Sequence, residues 1–130
     1  DWIVKGEADD TTGYFVKPAI LKTSDAQALG DVEFFCPVAA LEVFSSEKEA
    51  IQLQAQDKMG LTASIFTSST ECFERFAGVI EVGNLYHNLP TTFSPSTLPF
   101  GGLLQAGNGK PGGRGFVRFA ANEQAVQWKR

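Results

Sequence analysis

An alternation of strand-like and helix-like segments between residues 36 and 88 constrains the fold of this chain more than any other feature. Three short runs, at residues 36–44, 61–67 and 84–88, have the length and composition of strands. A segment with helical character separates each run from the next. Strands that alternate with helices at these lengths are typical of parallel pairing. We therefore predict an α/β fold, with a mostly parallel sheet and flanking helices.

Both intervening segments carry signals for the start or the end of a helix. The first can be capped by Ser45 or Ser46 and can end at Gly60. The second ends at Gly83, and its apolar residues follow the i, i+3, i+4, i+7 spacing of one helical face. This face should pack on the sheet. The predicted core consists of Phe73, Phe76, Ile80, Ile65, Leu61 and Val43.

The remaining segments are less regular. Residues 1–12 are polar and acidic and predict an irregular lead-in, whereas residues 14–21 predict an edge strand bulged at its proline. One helical turn is expected at residues 24–30. Residues 89–115 are rich in Gly, Pro, Ser and Thr, and predict a long loop that is the most irregular or mobile part of the chain. Residues 125–129 predict a last strand.

Length, charge and residue counts bound the class of protein. The 130 residues are enough for one domain, and the net charge of −4 argues against a nucleic-acid surface. No apolar run approaches the ~18 residues of a membrane span, so we expect no membrane partner and a cytoplasmic location. Cys36 and Cys72 suit neither zinc nor C-x-x-C chemistry and should be small buried residues. The single histidine, His87, is expected to be packed or solvated, and no metal site is predicted.

The stretch GNGKPG at residues 107–112 fits the G-x-G-x-x-G spacing of dinucleotide-binding turns. Such a turn needs a strand before its first glycine, and residues 101–106 are not rich in strand-forming residues. Pro111 also interrupts the motif, and it excludes a P-loop because Ser or Thr would have to follow Lys110. We therefore interpret this stretch as a flexible glycine turn.

Several segments, taken in order, resemble the C-terminal part of an aldehyde dehydrogenase. The resemblance covers nearly the whole chain from residue 13 onward. The sequence of residues 90–102, PTTFSPSTLPFGG, is most similar to that of succinylglutamate-semialdehyde and pyrroline-carboxylate dehydrogenases. The most specific motifs are E-x-F-x-P-V at residues 33–38, GLTASIFT at 60–67, GNLYHN at 83–88 and PFGG at 99–102.

The resemblance implies oxidation of an aldehyde to a carboxylic acid with NAD or NADP. In that family a cysteine thiolate attacks the carbonyl, hydride leaves to the nicotinamide, and a glutamate-activated water releases the acyl group. Neither Cys36 nor Cys72 matches the family's nucleophile, and no segment matches its dinucleotide-binding domain. We therefore expect part of an aldehyde or semialdehyde dehydrogenase, with no catalytic residue here and no activity alone. The alternative is an inactive binding or interaction module with the same partial fold.

The resemblance also assigns roles at the cofactor. Glu33 matches the glutamate that accepts both hydroxyls of the nicotinamide ribose, since a carboxylate has two acceptor oxygens. Phe35 matches the phenylalanine beside the nicotinamide. In an extended segment these two residues would face the same ligand. Without the resemblance, Glu33 would be interpreted as a solvated acid and Phe35 as a core residue.

For the substrate, a small-molecule aldehyde, the resemblance assigns residues of the long loop. Phe100, and more loosely Phe93, match aromatic positions that line the aldehyde pocket, although a lone phenylalanine such as Phe100 is most often a core residue. Thr91 and Ser96 lie in the stretch that grips the far end of the substrate. The glycine stretch at 107–112 matches the loop near the substrate entrance. Residues 125–129 match a strand that joins a neighbouring copy, which implies a homo-oligomer.

Overall fold

A computed structural model describes residues 1–24 and 33–129 of the chain. The chain divides into two compact units, Asp1–Asp57 and Lys58–Arg130. Each is described by itself. The helical turn predicted at residues 24–30 falls mostly outside the described residues.

The first unit contains five strands and one helix among its described residues. Its main sheet has the order β1–β4–β5, with β1 antiparallel and β5 parallel to the central strand. The parallel register runs from Ala19 opposite Val38 to Lys22 opposite Leu41. A separate antiparallel pair joins β2 and β3. The elements are β1 (Trp2–Val4), β2 (Ala8–Asp9), β3 (Phe15–Val16), β4 (Ala19–Lys22), β5 (Val38–Leu41) and α1 (Glu47–Gln54).

The N-terminal region is more regular than its composition predicts. The prediction of an irregular lead-in at residues 1–12 is wrong, because β1 and β2 both lie there and pair with later strands. Such pairing follows from partners distant in sequence, which a local pattern does not encode. The predicted edge strand at residues 14–21 is divided into β3 and β4 on either side of Pro18.

Helix α1 begins where the sequence predicts. The Ser46 hydroxyl accepts a hydrogen bond from the Glu49 amide at 3.2 Å, which caps the helix. The Glu49 carboxylate in turn accepts from the hydroxyl and the amide of Ser45, at 2.6 and 2.7 Å. These hydrogen bonds hold the pKa of Glu49 below its ordinary value, and the bond from the Ser45 hydroxyl has the larger effect. The helix ends at Gln54, six residues before the predicted stop at Gly60.

The second unit pairs its strands two by two. Strand β7 is parallel to β8, with Thr62 opposite Asn84 and Ile65 opposite His87, and β6 is antiparallel to β9. Together with β4–β5, this makes two parallel pairs and three antiparallel ones among the described strands, so the predicted parallel pairing is confirmed only in part. The elements are β6 (Met59–Gly60), β7 (Thr62–Ile65), α2 (Thr70–Ala77), β8 (Asn84–His87), β9 (Leu103–Leu104), a 3-10 helix (Gly113–Gly115) and α3 (Phe116–Phe119).

Helix α2 packs part of its apolar face within the second unit. Phe76 is buried, as its position on the apolar face predicts, while Phe73, Ile80 and Ile65 are half-buried. The prediction is wrong for Leu61 and Val43, which are exposed. Both lie just outside the regular elements, Leu61 between β6 and β7 and Val43 between β5 and α1. Helical packing therefore does not cover them.

Residues 89–115 form the long irregular stretch that the sequence predicts, interrupted by β9 and the 3-10 helix. Gly101 and Gly102 are buried, whereas the residues that follow them up to 115 are exposed or half-buried. Residues 125–129 form neither helix nor strand within this chain, so the predicted last strand is absent from that described stretch. No helix in the described part of the chain is long and apolar enough to cross a bilayer.

Candidate functional site

The segment that carries Glu33 and Phe35 lies directly before β5, and its backbone turns from Phe34 onward. The Cys36 amide donates to the Phe34 carbonyl at 2.7 Å, and the Val38 amide donates to the Cys36 carbonyl at 2.8 Å. Two successive three-residue turns of this kind are common where a strand starts. These turns begin at Phe34, so the common orientation of Glu33 and Phe35 stays a prediction.

Exposure distinguishes this segment from a core. Phe35 is 93% exposed and Glu33 is exposed, so both side chains are accessible to a ligand. Cys36 is exposed as well, which corrects the expectation of a buried thiol. The turns place Cys36 ahead of the sheet, and the first backbone bond to the sheet comes later, from the Ala19 amide to the Pro37 carbonyl at 2.9 Å.

Close contact between glycine backbones organises the second half of the long loop. A Cβ atom at Gly83 would overlap the carbonyl oxygen of Gly101, and one at Gly101 would overlap that of Gly109. At Gly60 it would lie 2.8 Å from the Glu81 carbonyl oxygen. Only glycine permits such approach of one backbone to another. We call these four residues, Gly60, Gly83, Gly101 and Gly109, the glycine junction.

The GNGKPG stretch at residues 107–112 is part of this packing. The Lys110 ammonium donates to the Gly83 carbonyl at 2.7 Å in a partly buried position, and the Gly112 amide donates to the Phe100 carbonyl at 3.3 Å. These bonds engage Lys110 and Gly112, and the flexibility of the turn stays a prediction. The stretch contacts PFGG through Gly112, and Lys110 is engaged with the carbonyl of Gly83.

The four candidate substrate residues all lie in the second unit but differ in how firmly they are held. Phe100 is half-buried beside Gly112, whereas Phe93 is 61% exposed. Thr91 and Ser96 are exposed in turns. Glu33 and Phe35 belong to the first unit, so the cofactor and substrate candidates are distributed over two units.

Two asparagines of the GNLYHN motif make contacts that the sequence interpretation missed. The Asn84 amide nitrogen donates to the Pro99 carbonyl at 3.1 Å. The Asn88 side chain accepts from the Thr67 amide and donates to the Thr67 carbonyl, both at 2.8 Å. Two asparagines at the ends of one strand-like run, just before a long loop, are the signal from which their anchoring role could have been predicted.

His87 is packed within the second unit, in line with its expected structural role. Its ring stacks on Phe73 with centroids 4.5 Å apart and an interplanar angle of 17°. Its Nε2 lies 3.1 Å from the Thr67 carbonyl oxygen. Over residues 1–24 and 33–129, no group of three or more His, Cys, Asp or Glu side chains could hold a metal ion.

Comparisons with known proteins agree with the motifs. The profile of the aldehyde dehydrogenase family matches residues 2–126. The 1-pyrroline-5-carboxylate dehydrogenase of Staphylococcus haemolyticus is 39% identical over 108 residues, which are 80% of this chain and 21% of that protein. The N-succinylglutamate 5-semialdehyde dehydrogenase of Legionella pneumophila is 35% identical over 96 residues, 74% of this chain and 19% of that protein. The chain thus spans about a fifth of the length of these relatives.

Solved structures share the fold. A mutant of the indole-3-acetaldehyde dehydrogenase AldA of P. syringae, in complex with NAD+ and IAA, superposes with a TM-score of 0.73 and 29% identity. The match covers 85% of this chain and 22% of that one. The α/β arrangement described above is therefore that of a segment of such an enzyme.

Proposed function

Because this chain belongs to the aldehyde dehydrogenase family, we propose that it forms the C-terminal part of the catalytic region of an NAD(P)-dependent semialdehyde dehydrogenase. The observation that carries the proposal is the match over residues 2–126 together with the two semialdehyde- and pyrroline-carboxylate-oxidising relatives. The substrate would be a small aldehyde that becomes a carboxylic acid.

Residues 33–35 have the chemistry that a nicotinamide nucleotide needs. The accessible carboxylate of Glu33 offers two acceptor oxygens for two ribose hydroxyls, and the exposed ring of Phe35 offers an apolar face beside the nicotinamide. NAD or NADP, when bound, accepts the hydride. The chain's own contribution is to orient that end of the cofactor.

Residues 91–100 would contact the aldehyde. Phe100, held beside Gly112, supplies a fixed apolar wall, and Phe93 supplies an exposed ring that a substrate can cover. Thr91 and Ser96 offer hydroxyls for the polar end of a semialdehyde. A pocket with apolar walls and few polar groups is the usual form of a small-molecule site.

The nucleophile is proposed to lie outside these residues. Cys36 is exposed in a turn and Cys72 lies in α2 within an unrelated motif. We therefore propose that this chain alone is inactive, and that it acts together with a nucleophile and a dinucleotide-binding domain. We also propose a cytoplasmic location and a homo-oligomer in which residues 125–129, with exposed Val126 and Trp128, pair with a neighbouring copy.

The test is the formation of NADH or NADPH from a panel of semialdehydes by the protein that contains this chain. Glu33→Gln should raise the KM for the cofactor roughly tenfold, since a charge-assisted hydrogen bond is lost. It should slow hydride transfer more than acylation. Glu74→Gln, an exposed glutamate on α2, is the matched control and should change neither.

Two outcomes would contradict the proposal. Absence of turnover with every aldehyde and both cofactors would favour the alternative of an inactive binding or interaction module. Turnover by the 130-residue chain alone that disappears in Cys36→Ser would place the nucleophile here.

A further inference from the structure

Strand β8 has an asparagine at its start and another directly after its end, and the side chains of both donate to backbone carbonyls. Asn84, the first residue of β8, donates to the carbonyl of Pro99, the residue before Phe100. Asn88 follows β8 and precedes Thr91 by three residues. Residues 89–98 therefore run from Asn88 to Pro99, the residue that Asn84 contacts.

Asn88 fixes the direction in which the chain leaves β8. Its side chain meets both the amide and the carbonyl of Thr67, as a peptide group of a β-ladder would. Its own amide donates to the Ile65 carbonyl at 3.0 Å. Its φ of 53° lies in the left-handed region, which asparagine tolerates better than most residues.

A further contact continues this anchor into the loop. The Ser64 hydroxyl donates to the Leu89 carbonyl at 2.5 Å, one residue beyond Asn88. Hydrogen bonds therefore join the ends of β7 and β8 at three backbone positions. Asn88 bonds to Ile65 and Thr67, and Ser64 bonds to Leu89. The backbone is therefore bonded as far as Leu89, two residues before Thr91.

The length of the loop at residues 89–98 explains why these contacts restrict its conformation. Ten residues, 89–98, could span up to ~33 Å if extended, whereas the four residues of β8 cover about 13 Å. A loop with that much slack has many conformations, and its ends decide where its middle lies. Fixing both ends narrows the positions open to Phe93 and Ser96.

We infer that Asn84 and Asn88 are positioning residues for the aldehyde-binding stretch, acting through the backbone at Pro99, Thr67 and Ile65 without contacting the aldehyde. The inference rests on the proposed function of residues 91–100. It assigns the substrate affinity of a semialdehyde dehydrogenase in part to two side chains of the GNLYHN motif.

The first test compares aldehyde and cofactor kinetics in the protein that contains this chain. Asn88→Gly keeps the backbone conformation but loses both Thr67 bonds, and Asn88→Asp keeps the acceptor oxygen but loses the donor. We expect the KM for the aldehyde to rise roughly tenfold in Asn88→Gly, with a smaller rise in Asn88→Asp. The KM for NAD(P) should not change. Asn122→Asp, at an exposed position, is the matched control.

The two asparagines should act on opposite ends of the stretch. Asn84→Ala removes the Pro99 bond and should raise the aldehyde KM as Asn88→Gly does. An unchanged aldehyde KM in both variants overturns the inference, and so does a parallel rise in the KM for the aldehyde and the cofactor. Partial recovery in Asn88→Asp relative to Asn88→Gly supports it.

A second test does not depend on activity. Amide hydrogen exchange at residues 91–98 should accelerate in Asn88→Gly while the amides of α2 keep their protection. If the wild-type protein oxidises no aldehyde but exchange changes in this way, the proposed function fails and the anchoring stands. Equal exchange at residues 91–98 in wild type and variant overturns the anchoring itself.

Discussion

The two parallel strand pairs of this protein differ in how much of each is covered. In the β4–β5 pair every residue of β5 is exposed, and Ala19 is the buried residue of β4. In the β7–β8 pair every residue is half-buried or buried, with Tyr86 the most enclosed, and α2 stacks Phe73 on His87. The VAAL run of β5 is fully apolar, yet β5 is more exposed than β7 or β8. Strand composition therefore does not decide burial; the elements that pack on the strand do.

The candidate ligand residues follow the same division. Glu33 and Phe35 precede the open pair and are exposed, whereas Phe100 follows the covered pair and is half-buried beside Gly112. Changes near the first pair should alter ligand binding with little effect on folding. Changes near the second should alter stability as well.

Two phenylalanines give the largest expected contrast. Phe76, which is 9% exposed, should cost about 3–5 kcal/mol of unfolding free energy when replaced by alanine, because a cavity remains. Phe35→Ala should change that free energy by less than ~0.5 kcal/mol, since the side chain is exposed. Urea unfolding of this chain measures both. Similar losses of unfolding free energy in the two variants would contradict the difference in burial between Phe76 and Phe35.

Two glycine-to-alanine substitutions compare a site of close backbone contact with a site that has room for a methyl group. Gly83→Ala should destabilise the second unit by roughly 3 kcal/mol, because the new methyl group overlaps the Gly101 carbonyl. Gly78→Ala is the matched control. Its φ of −76° is helical and the nearest atoms to its Cβ lie at 3.6 Å, so a gain of about 0.4–1 kcal/mol is expected. Thermal unfolding decides the sign, and equal shifts would argue against the junction.

The two helix caps test whether a helix without buried residues contributes to global stability. Ser46→Ala and Ser69→Ala each remove a hydroxyl that accepts from the first turn, at a cost of ~1 kcal/mol. In α2, which contains buried Phe76, the loss should lower global stability. In α1, which has no buried residue, it should appear only as local amide exchange. Ser68→Ala, at an exposed position, serves as control; a global loss from Ser46→Ala would refute this difference.

The smallest effect concerns an exposed ion pair in the first unit. The hydrogen bond and the charge of Lys17, 2.6 Å away, lower the pKa of Glu7 from 4.5, and Glu7 raises the pKa of Lys17 from 10.5. The stabilisation is therefore present between these two ordinary values, and it is lost as the pH falls through the lowered pKa or rises through the raised one. Screening by solvent keeps it small. In Lys17→Gln an NMR titration should show the Glu7 pKa returning towards 4.5, whereas Lys5→Gln should leave it lowered.

Local sequence determined the order of elements and several of their ends. The helix start at Ser46 follows from a hydroxyl able to meet free amides, and the break at Pro18 follows from a residue without an amide hydrogen. The apolar spacing that predicted Phe76 as a buried residue is likewise a property of one helix. The motifs of residues 33–38, 60–67, 83–88 and 99–102 also sufficed for the family, as the profile match confirms. Their roles in ligand binding remain proposals.

Tertiary structure decided the rest, because it depends on partners distant in the chain. Helix α2 ends at Ala77, short of the predicted stop, and the amides of Gly83 and Asn84 bond instead to the carbonyls of Gly60 and Leu61. The pairing of β6 with β9 unites segments more than forty positions apart. The glycine stretch at 107–112 could not be distinguished from a flexible turn by composition. Only the fold brings it against Gly101, where the lack of a side chain becomes a requirement for packing.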